Sequence, residues 1–369
     1  MEHDVMLPVA VRTDLALEAH DQARAALGEP VPGVTTDTQQ EDGITVTRVT
    51  VTDEAGARAI GKRPGTYVTL EVPGLRQQDT PLRQRVAERL ARELEGFFDR
   101  LGLGPQSSVL VIGLGNAQVT PDALGPLVVE NLLVTRHLFE LAPEQVARGY
   151  RPVSALAPGV LGKTGIETSD IVLALCHHVK PDAVIVIDAL AARALERVNT
   201  TIQIADTGIQ PGSGVGNKRK PLDREALGVP VLAIGVPTVV DAATIAYDAI
   251  DYVLAHLRAQ LAEARENRPA RRLVPGARRY APDPRRIRAV RAERDPEVEA
   301  SLFGAVGALS PEEKRALIAE VLQPLGQNLI VTPKEVDAFV GGMANILATG
   351  LNMALHEAVD GTNAAAYTF

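Results

Sequence analysis

The sequence predicts an α/β fold: a central, mostly parallel or mixed sheet with helices on both faces, an N-terminal arm with β segments, and a helical C-terminal tail. Two wholly apolar runs, 109–112 and 183–187, are typical of strands buried on both faces. Segments with helical spacing alternate with such runs, which is typical of parallel strands joined by helices. The 369 residues are 46% hydrophobic but only 3% aromatic, so we expect a large, aliphatic core.

The elements before the first buried strand are predicted from local spacing. Residues 1–18 are expected to form an extended arm and 19–27 a short helix. Apolar and polar residues alternate over 44–51, which predicts a half-buried strand, and 67–72 is a second strand candidate. Good helix formers at helical spacing predict a helix over 82–101.

The α/β units follow. The predicted strands are 108–112, 153–156, 183–187, 201–205 and 229–235. The predicted helices are 126–141, 168–179, a short one ending near Arg197, and 239–261. Pro126 suits the first turn of its helix, and Thr168 or Ser169 can cap the next one.

The C-terminal part changes character. Residues 263–295 are rich in Arg and Pro, which predicts a flexible linker or, alternatively, a docking surface for an acidic partner. Helices are predicted over 311–321 and 333–356. We therefore expect an α/β catalytic domain over 15–262, a linker over 263–300 and a helical region over 301–369.

Charge and cysteine content exclude several classes of protein. The net charge of −8 argues against a nucleic-acid-binding protein, although a local basic patch remains possible. Cys176 is the single cysteine, so no internal disulfide forms and an intracellular setting is expected. The N-terminus does not resemble a signal peptide, and no apolar run has the length of a membrane span. We expect a cytoplasmic protein without a membrane partner.

Two aspartates follow the two buried runs. Asp122 lies after a Gly-x-Gly-Asn turn, and Asp188 ends the second run. The carboxyl ends of strands in open α/β sheets are where ligands bind. Two carboxylates brought together there can share a proton and activate a water molecule. The alternative is that each acid only stabilises the start of a following helix.

Two nucleotide-binding interpretations are weaker. Gly113 and Gly115 begin a dinucleotide fingerprint, but Gln118 occupies its third glycine position. The segment 157–164 ends in Gly-Lys-Thr like a phosphate-binding loop, but Gly165 interrupts the turn where a helix should begin. A nucleotide hydrolase is therefore kept as the alternative function, and a non-catalytic binding module as a third.

Other polar segments have two interpretations each. The glycine-rich loop 208–220 ends in Lys218, Arg219 and Lys220, and is either a surface turn or a lid that brings positive charge to a substrate carboxylate. Cys176 lies within a helical pattern and is expected to pack in the core. No histidine occurs between His178 and His256, which removes the simplest third ligand for a metal at the two aspartates.

Long stretches of the chain resemble one family, the germination proteases of spore-forming bacteria, which are endopeptidases that degrade small acid-soluble spore proteins. The matching stretches are 11–16, 65–71, 111–126, 131–141, 165–171, 187–193, 211–220, 236–242, 331–337 and 364–368. The resemblance covers nearly the whole chain and departs from it in 263–295. The Gly-x-Gly-Asn turn followed by an acid is also similar to hydrogenase-maturation proteases.

The resemblance implies a mechanism and an assembly. Asp122 and Asp188 fall on the family's catalytic aspartates, with no metal and no cofactor. The family is made as a zymogen that trims itself, which implies a cut between Asp14 and Leu15 that releases the propeptide 1–14. It also implies a homotetramer in the spore core, with small acid-soluble spore proteins as substrates and no direct contact with nucleic acid.

Substrate-positioning groups are predicted around this pair. Asn116 or the backbone amides near Gly113 and Gly115 are candidates to stabilise the tetrahedral oxyanion. The family's preference for an acid before the cut implies a cation in the binding pocket. The candidate cations are Lys163, Arg193, Lys218 and Arg219.

Overall fold

A computed structural model describes residues 13–27, 30–77, 79–210, 220–265, 300–301, 304–307, 309–322 and 329–367. The chain forms two compact units. The larger lies within 12–240 and 332–369 and contains the sheet. The smaller contains the described parts of 241–331.

The strands alternate with helices through most of the larger unit. The strands are β1 Val34–Glu41, β2 Ile44–Val51, β3 Gly65–Glu71, β4 Val109–Gly113, β5 Val153–Leu156, β6 Ala183–Ala192, β7 Thr201–Ala205, β8 Val231–Asp241 and β9 Ile330–Val331. The helices are α1 Ala16–Leu27, α2 Glu54–Ile60, α3 Thr80–Leu101, α4 Leu124–Glu130, α5 Arg136–Leu141, α6 Leu161–Thr164, α7 Thr168–Val179, α8 Arg224–Leu227, α9 Ala242–Arg265, α10 Pro311–Leu322 and α11 Val336–Leu355.

The sheet is mixed. Its order is β1-β2-β3-β7-β8-β6-β4-β5. The half from β1 to β8 is antiparallel. The half formed by β8, β6, β4 and β5 is parallel. This arrangement confirms the predicted fold class.

Alternate residues of the central strands face two different cores. Val109 and Val111 of β4 belong to a cluster formed with α3 and α11. Leu110 and Ile112 of the same strand belong to another cluster, which includes Cys176 of α7. Because successive residues of a strand point to opposite faces, helices cover both faces of the sheet, as predicted. The predicted core position of Cys176 is confirmed.

Helix α11 belongs to this core. Within the described residues, it is the one helix that is long and apolar enough to cross a membrane by length and composition. It packs against α3 and α4, and most of its residues are buried. Its apolar character is therefore explained by its position inside the larger unit, and it confirms the predicted helical tail.

The N-terminal region contains more regular structure than predicted. Helix α1 begins at Ala16, so the arm does not continue to residue 18, because Leu15 and Ala16 are completely buried against the rest of the fold. Strand β1 was not predicted, since all but its first residue are exposed and it lacks an apolar face. Helix α2, which is capped by Asp53, was also missed.

Three predicted boundaries are wrong in the α/β region. The single helix predicted over 126–141 is two, α4 and α5, with a break at 131–135. Strand β6 continues to Ala192, and only a short 3-10 turn, Leu195–Arg197, replaces the predicted helix after Asp188. Strand β8 continues to Asp241, so α9 begins at Ala242 instead of Val239. The two strands extend each other's pairing to Ala192 opposite Val240, a gain that local spacing does not reveal.

The other predicted strands and helices lie within a few residues of those observed. Most of the predicted linker 263–300 lies outside the described residues. The proposed domain boundaries stay predictions.

Candidate active site

Asp122 lies in a turn that folds back on the end of β4. The N–H of Asn116 donates to Asp122 Oδ2 at 2.8 Å and to the Asp122 carbonyl at 3.0 Å. Gly115 has a φ of +116°, and a Cβ there would lie 2.0 Å from the Asp122 carbonyl oxygen. A glycine is therefore required where the turn closes. These contacts hold the Asp122 carboxylate beside the end of β4.

Gly113 has a different task. A Cβ at this position would lie 2.2 Å from the carbonyl oxygen of Gly125 in α4. The missing side chain thus lets α4 approach β4 closely. Both glycines are explained by close packing, which favours the tight-turn interpretation over a dinucleotide fingerprint.

Asp188 lies inside β6 and is only 8% exposed. The ladder between β4 and β6 ends at Gly113 opposite Ile187, so Asp188 is the first β6 residue beyond it. The N–H of Ala189 donates to Asp188 Oδ1 at 2.9 Å. Asp188 is therefore a buried acid at the point where β4 ends.

The turn that carries Asp122 is anchored over the same strands. The short 3-10 turn Thr120–Asp122 contacts β6. The hydroxyl of Thr238 on β8 donates to the Pro121 carbonyl at 2.7 Å. Both predicted aspartates are thus located at one end of β4, although they are far apart in sequence.

The predicted cleavage site is bound to the continuation of β6. The N–H of Asp14 donates to the Ala191 carbonyl at 3.2 Å, and the N–H of Ala191 donates to Asp14 Oδ2 at 2.9 Å. Asp14 therefore pairs with the strand three residues beyond Asp188. Leu15, on the other side of the predicted cut, is completely buried.

Two further side chains hold the Asp14 carbonyl. Lys62 Nζ donates to it at 3.0 Å, and Gln203 Nε2 donates to it at 3.2 Å. Sequence reasoning missed both residues. A polar residue within the buried strand pattern 201–205 was an available signal for Gln203. Lys62 follows α2 in a short connection, and no sequence pattern marks it.

Arg193 contributes its backbone to another buried contact. Its N–H donates to Glu18 Oε2 at 2.8 Å, and the N–H of Ala194 donates to Glu18 Oε1 at 2.9 Å. Arg197 Nη1 lies 3.2 Å from Glu18 Oε1, and Glu18 is only 2% exposed. These contacts fasten α1 to the loop that follows β6.

The remaining predicted cations are not brought together with this site by the described residues. Lys163 is exposed in the one-turn helix α6, which Gly165 ends in a left-handed conformation. The Gly-Lys-Thr segment thus ends a helical turn instead of beginning a phosphate-binding helix. Lys218 and Arg219 lie outside the described residues. Nothing in the described part of the chain favours the nucleotide hydrolase.

Cysteine and metal chemistry were also considered. Burial raises the pKa of the Cys176 thiol, which disfavours a thiolate nucleophile. Across the described ranges, no group of three or more His, Cys, Asp or Glu side chains could hold a metal ion.

Comparison with known proteins gives a consistent result. The family model for germination protease matches residues 10–368. A germination protease of Bacillus cereus is 55% identical over 362 residues, which is 97% of each chain. Germination proteases of Bacillus mycoides and Bacillus anthracis are each 54% identical, over 362 and 363 residues, again with 97% of each chain covered.

These matches define the chain as a protease. It belongs to the germination protease family. The prediction of a protease is thereby confirmed.

Proposed function

We propose that this chain is an aspartic-type endopeptidase that begins the degradation of small acid-soluble, DNA-binding spore proteins during germination. The observation that carries the proposal is the placement of Asp122 and Asp188 at one end of β4, in a member of a protease family. We place its action in the spore core, without a cofactor.

The proposed chemistry divides two tasks between the aspartates. The ionised member takes a proton from a water molecule as the water oxygen adds to the peptide carbonyl carbon. The protonated member donates to the carbonyl oxygen and then passes its proton to the leaving nitrogen. Two adjacent carboxylates suit this division because they do not both ionise readily. The burial of Asp188 supports such an environment.

Self-processing between Asp14 and Leu15 is the second part of the proposal. The new N-terminus would be Leu15, and residues 1–14 would be the propeptide. Support comes from the pairing of Asp14 with Ala191, on the strand that carries Asp188. A segment held in this way resembles a peptide substrate bound along a strand.

Substrate recognition and assembly complete the proposal. A cation among Lys163, Arg193, Lys218 and Arg219 would bind the acidic residue before the cut, and Asn116 with the amides near Gly113 and Gly115 would support the oxyanion. The active form would be a homotetramer, which analytical ultracentrifugation of the purified chain tests directly.

The decisive experiment incubates the purified chain with a small acid-soluble spore protein and identifies the new termini by mass spectrometry. We expect cuts after acidic residues, and loss of residues 1–14 from the enzyme itself. Asp122→Asn and Asp188→Asn should each abolish both reactions. Asp37→Asn, on the exposed strand β1, is the matched control and should cleave normally. Full activity in either site variant would disprove the aspartate-pair mechanism.

A further inference from the structure

The peptide around the predicted cut is held on both sides by one side chain. Gln203 Nε2 donates to the Asp14 carbonyl at 3.2 Å, while Gln203 Oε1 accepts the N–H of Ala16 at 2.7 Å. Gln203 is only 8% exposed. A buried amide that uses both its donor and its acceptor on one segment fixes the path of that segment firmly.

Lys62 binds the same carbonyl from a different element. Its ammonium donates to the carbonyls of Asp14 at 3.0 Å and of Thr13 at 3.1 Å. Burial lowers the pKa of Lys62, and the carboxylates of Asp14 and Glu18 partly offset this effect. A partly buried ammonium aimed at backbone carbonyls is an unusual use of lysine, since most lysines keep their charge in water.

The position of Gln203 relates this carbonyl to the aspartate on β6. Asp188 pairs with Gly235 on β8, and Gly235 pairs with Gln203 on β7. Residues opposite one another on neighbouring strands project from the same face of a sheet. The backbones of Asp188 and Gln203 are therefore about 10 Å apart, across one strand that has no side chain at this row.

We propose that Lys62 and Gln203 form the subsite that holds the carbonyl of the residue before the cut. This inference rests on the proposed function. The carbonyl is first that of Asp14, in self-processing, and then that of the acidic residue of a peptide substrate. When residues 1–14 leave, the two donors and the N–H of Ala191 are available to a second peptide.

The chemistry of peptide hydrolysis suits this pair of donors. As water adds to the carbonyl carbon, the C=O double bond becomes a single bond and negative charge develops on the oxygen. One aspartate takes the water proton, and Lys62 and Gln203 donate to the oxyanion. The C=O bond then forms again, the C–N bond breaks, and the other aspartate gives its proton to the leaving nitrogen. An ammonium binds an oxyanion more strongly than a neutral carbonyl, so Lys62 would lower the barrier.

The subsite is tested with the full-length protein and a synthetic peptide that copies residues 10–20 of this chain. Cleavage after the peptide's aspartate is followed by chromatography to give kcat and KM. We expect Lys62→Met to lower kcat by about 10²–10³-fold, the cost of losing one oxyanion donor. Lys62→Arg should recover part of this loss, because the charge and a donor remain. Lys334→Met, at an exposed lysine, is the control and should match the wild type.

A second variant protects the test against misfolding. Gln203→Glu has nearly the same shape and can still accept the N–H of Ala16, but its carboxylate cannot donate to the Asp14 carbonyl. We expect it to lower kcat at least tenfold at neutral pH. If both variants melt like the wild type and keep its kcat, the subsite assignment is wrong. If the wild type cleaves neither the peptide nor itself, the proposed function fails instead.

Discussion

Asp188 and Gln203 lie in one row of the sheet, on either side of Gly235. Gln203 also holds the carbonyl of Asp14, and Asp14 pairs with Ala191 on the strand of Asp188. The predicted cleavage segment is therefore bound to the two strands that flank β8. This relationship connects the candidate site to the N-terminal segment without any contact that the sequence could have revealed.

The turn at Asp122 should be intolerant of a side chain at Gly115. In Gly115→Ala the new Cβ would lie 2.0 Å from the Asp122 carbonyl, at a φ of +116° that disfavours alanine. Displacement of a catalytic group by about 1 Å can cost 10²-fold in rate, and we expect a loss of about that size in kcat. Steady-state peptide cleavage measures it. Gly104→Ala is the control, because nothing lies within 4 Å of its Cβ position. Unchanged kcat in Gly115→Ala would contradict the role of this turn.

His356 should make the fold less stable in mild acid. It is completely buried, and its Nδ1 accepts the N–H of Arg151 at 3.3 Å. Burial is the main cause that lowers its pKa to about 4. Because the unfolded chain binds the proton near pH 6.5, the stability contributed by neutral His356 is complete above that pH. It falls by about 3 kcal/mol as the pH drops from 6.5 to 4.

Urea unfolding at several pH values measures this effect. In His356→Gln the free energy of unfolding should depend less steeply on pH between 6.5 and 4. His137→Gln, at an exposed histidine, should keep the slope of the wild type. An equal slope in the wild type and His356→Gln would show that this histidine does not control acid stability.

Glu18 should contribute strongly to stability. It accepts two backbone N–H groups from the loop after β6 and pairs with Arg197. Removing one partner of a buried ion pair leaves the other charge uncompensated, so Glu18→Gln should cost about 3 kcal/mol. Glu140→Gln removes a comparable pair with Arg136 in which Glu140 is 58% exposed, and should cost less than about 0.5 kcal/mol. Similar melting curves for the two variants would refute the assignment.

Chelation should leave cleavage unaffected. The described part of the chain has no cluster of metal-binding side chains, and the proposed mechanism uses only carboxylates and a water molecule. We expect the same rate of peptide cleavage before and after dialysis against EDTA. Inhibition that added Zn²⁺ or Mn²⁺ reverses would instead support a metal-dependent mechanism.

Several elements show how far local sequence signals extend. The strand β2 and helix α3 were predicted closely because their apolar spacing is a local property. Strand β1 lacks an apolar face, yet Asp42-Gly43 joins it to β2 with both residues at positive φ. Asp-Gly is a strong hairpin signal, so this turn could have revealed the strand.

The prediction at β6 failed for another reason. An aspartate after an apolar run normally ends a strand or begins a helix, but β6 continues through Asp188 to Ala192. Continued pairing with β8 supplies backbone hydrogen bonds there, and a local pattern contains no information on that partner.

By itself, the sequence determined the alternation of strands and helices, the aliphatic core and the two acids that follow buried apolar runs. These depend on spacing and turn residues within short segments. Only the tertiary structure decided that Asp122 folds back beside β4, that Asp188 lies within a strand, and that Lys62 and Gln203 hold the carbonyl of Asp14. Such contacts join residues remote in sequence, and they form only when the paired strands and the packed core bring those residues together.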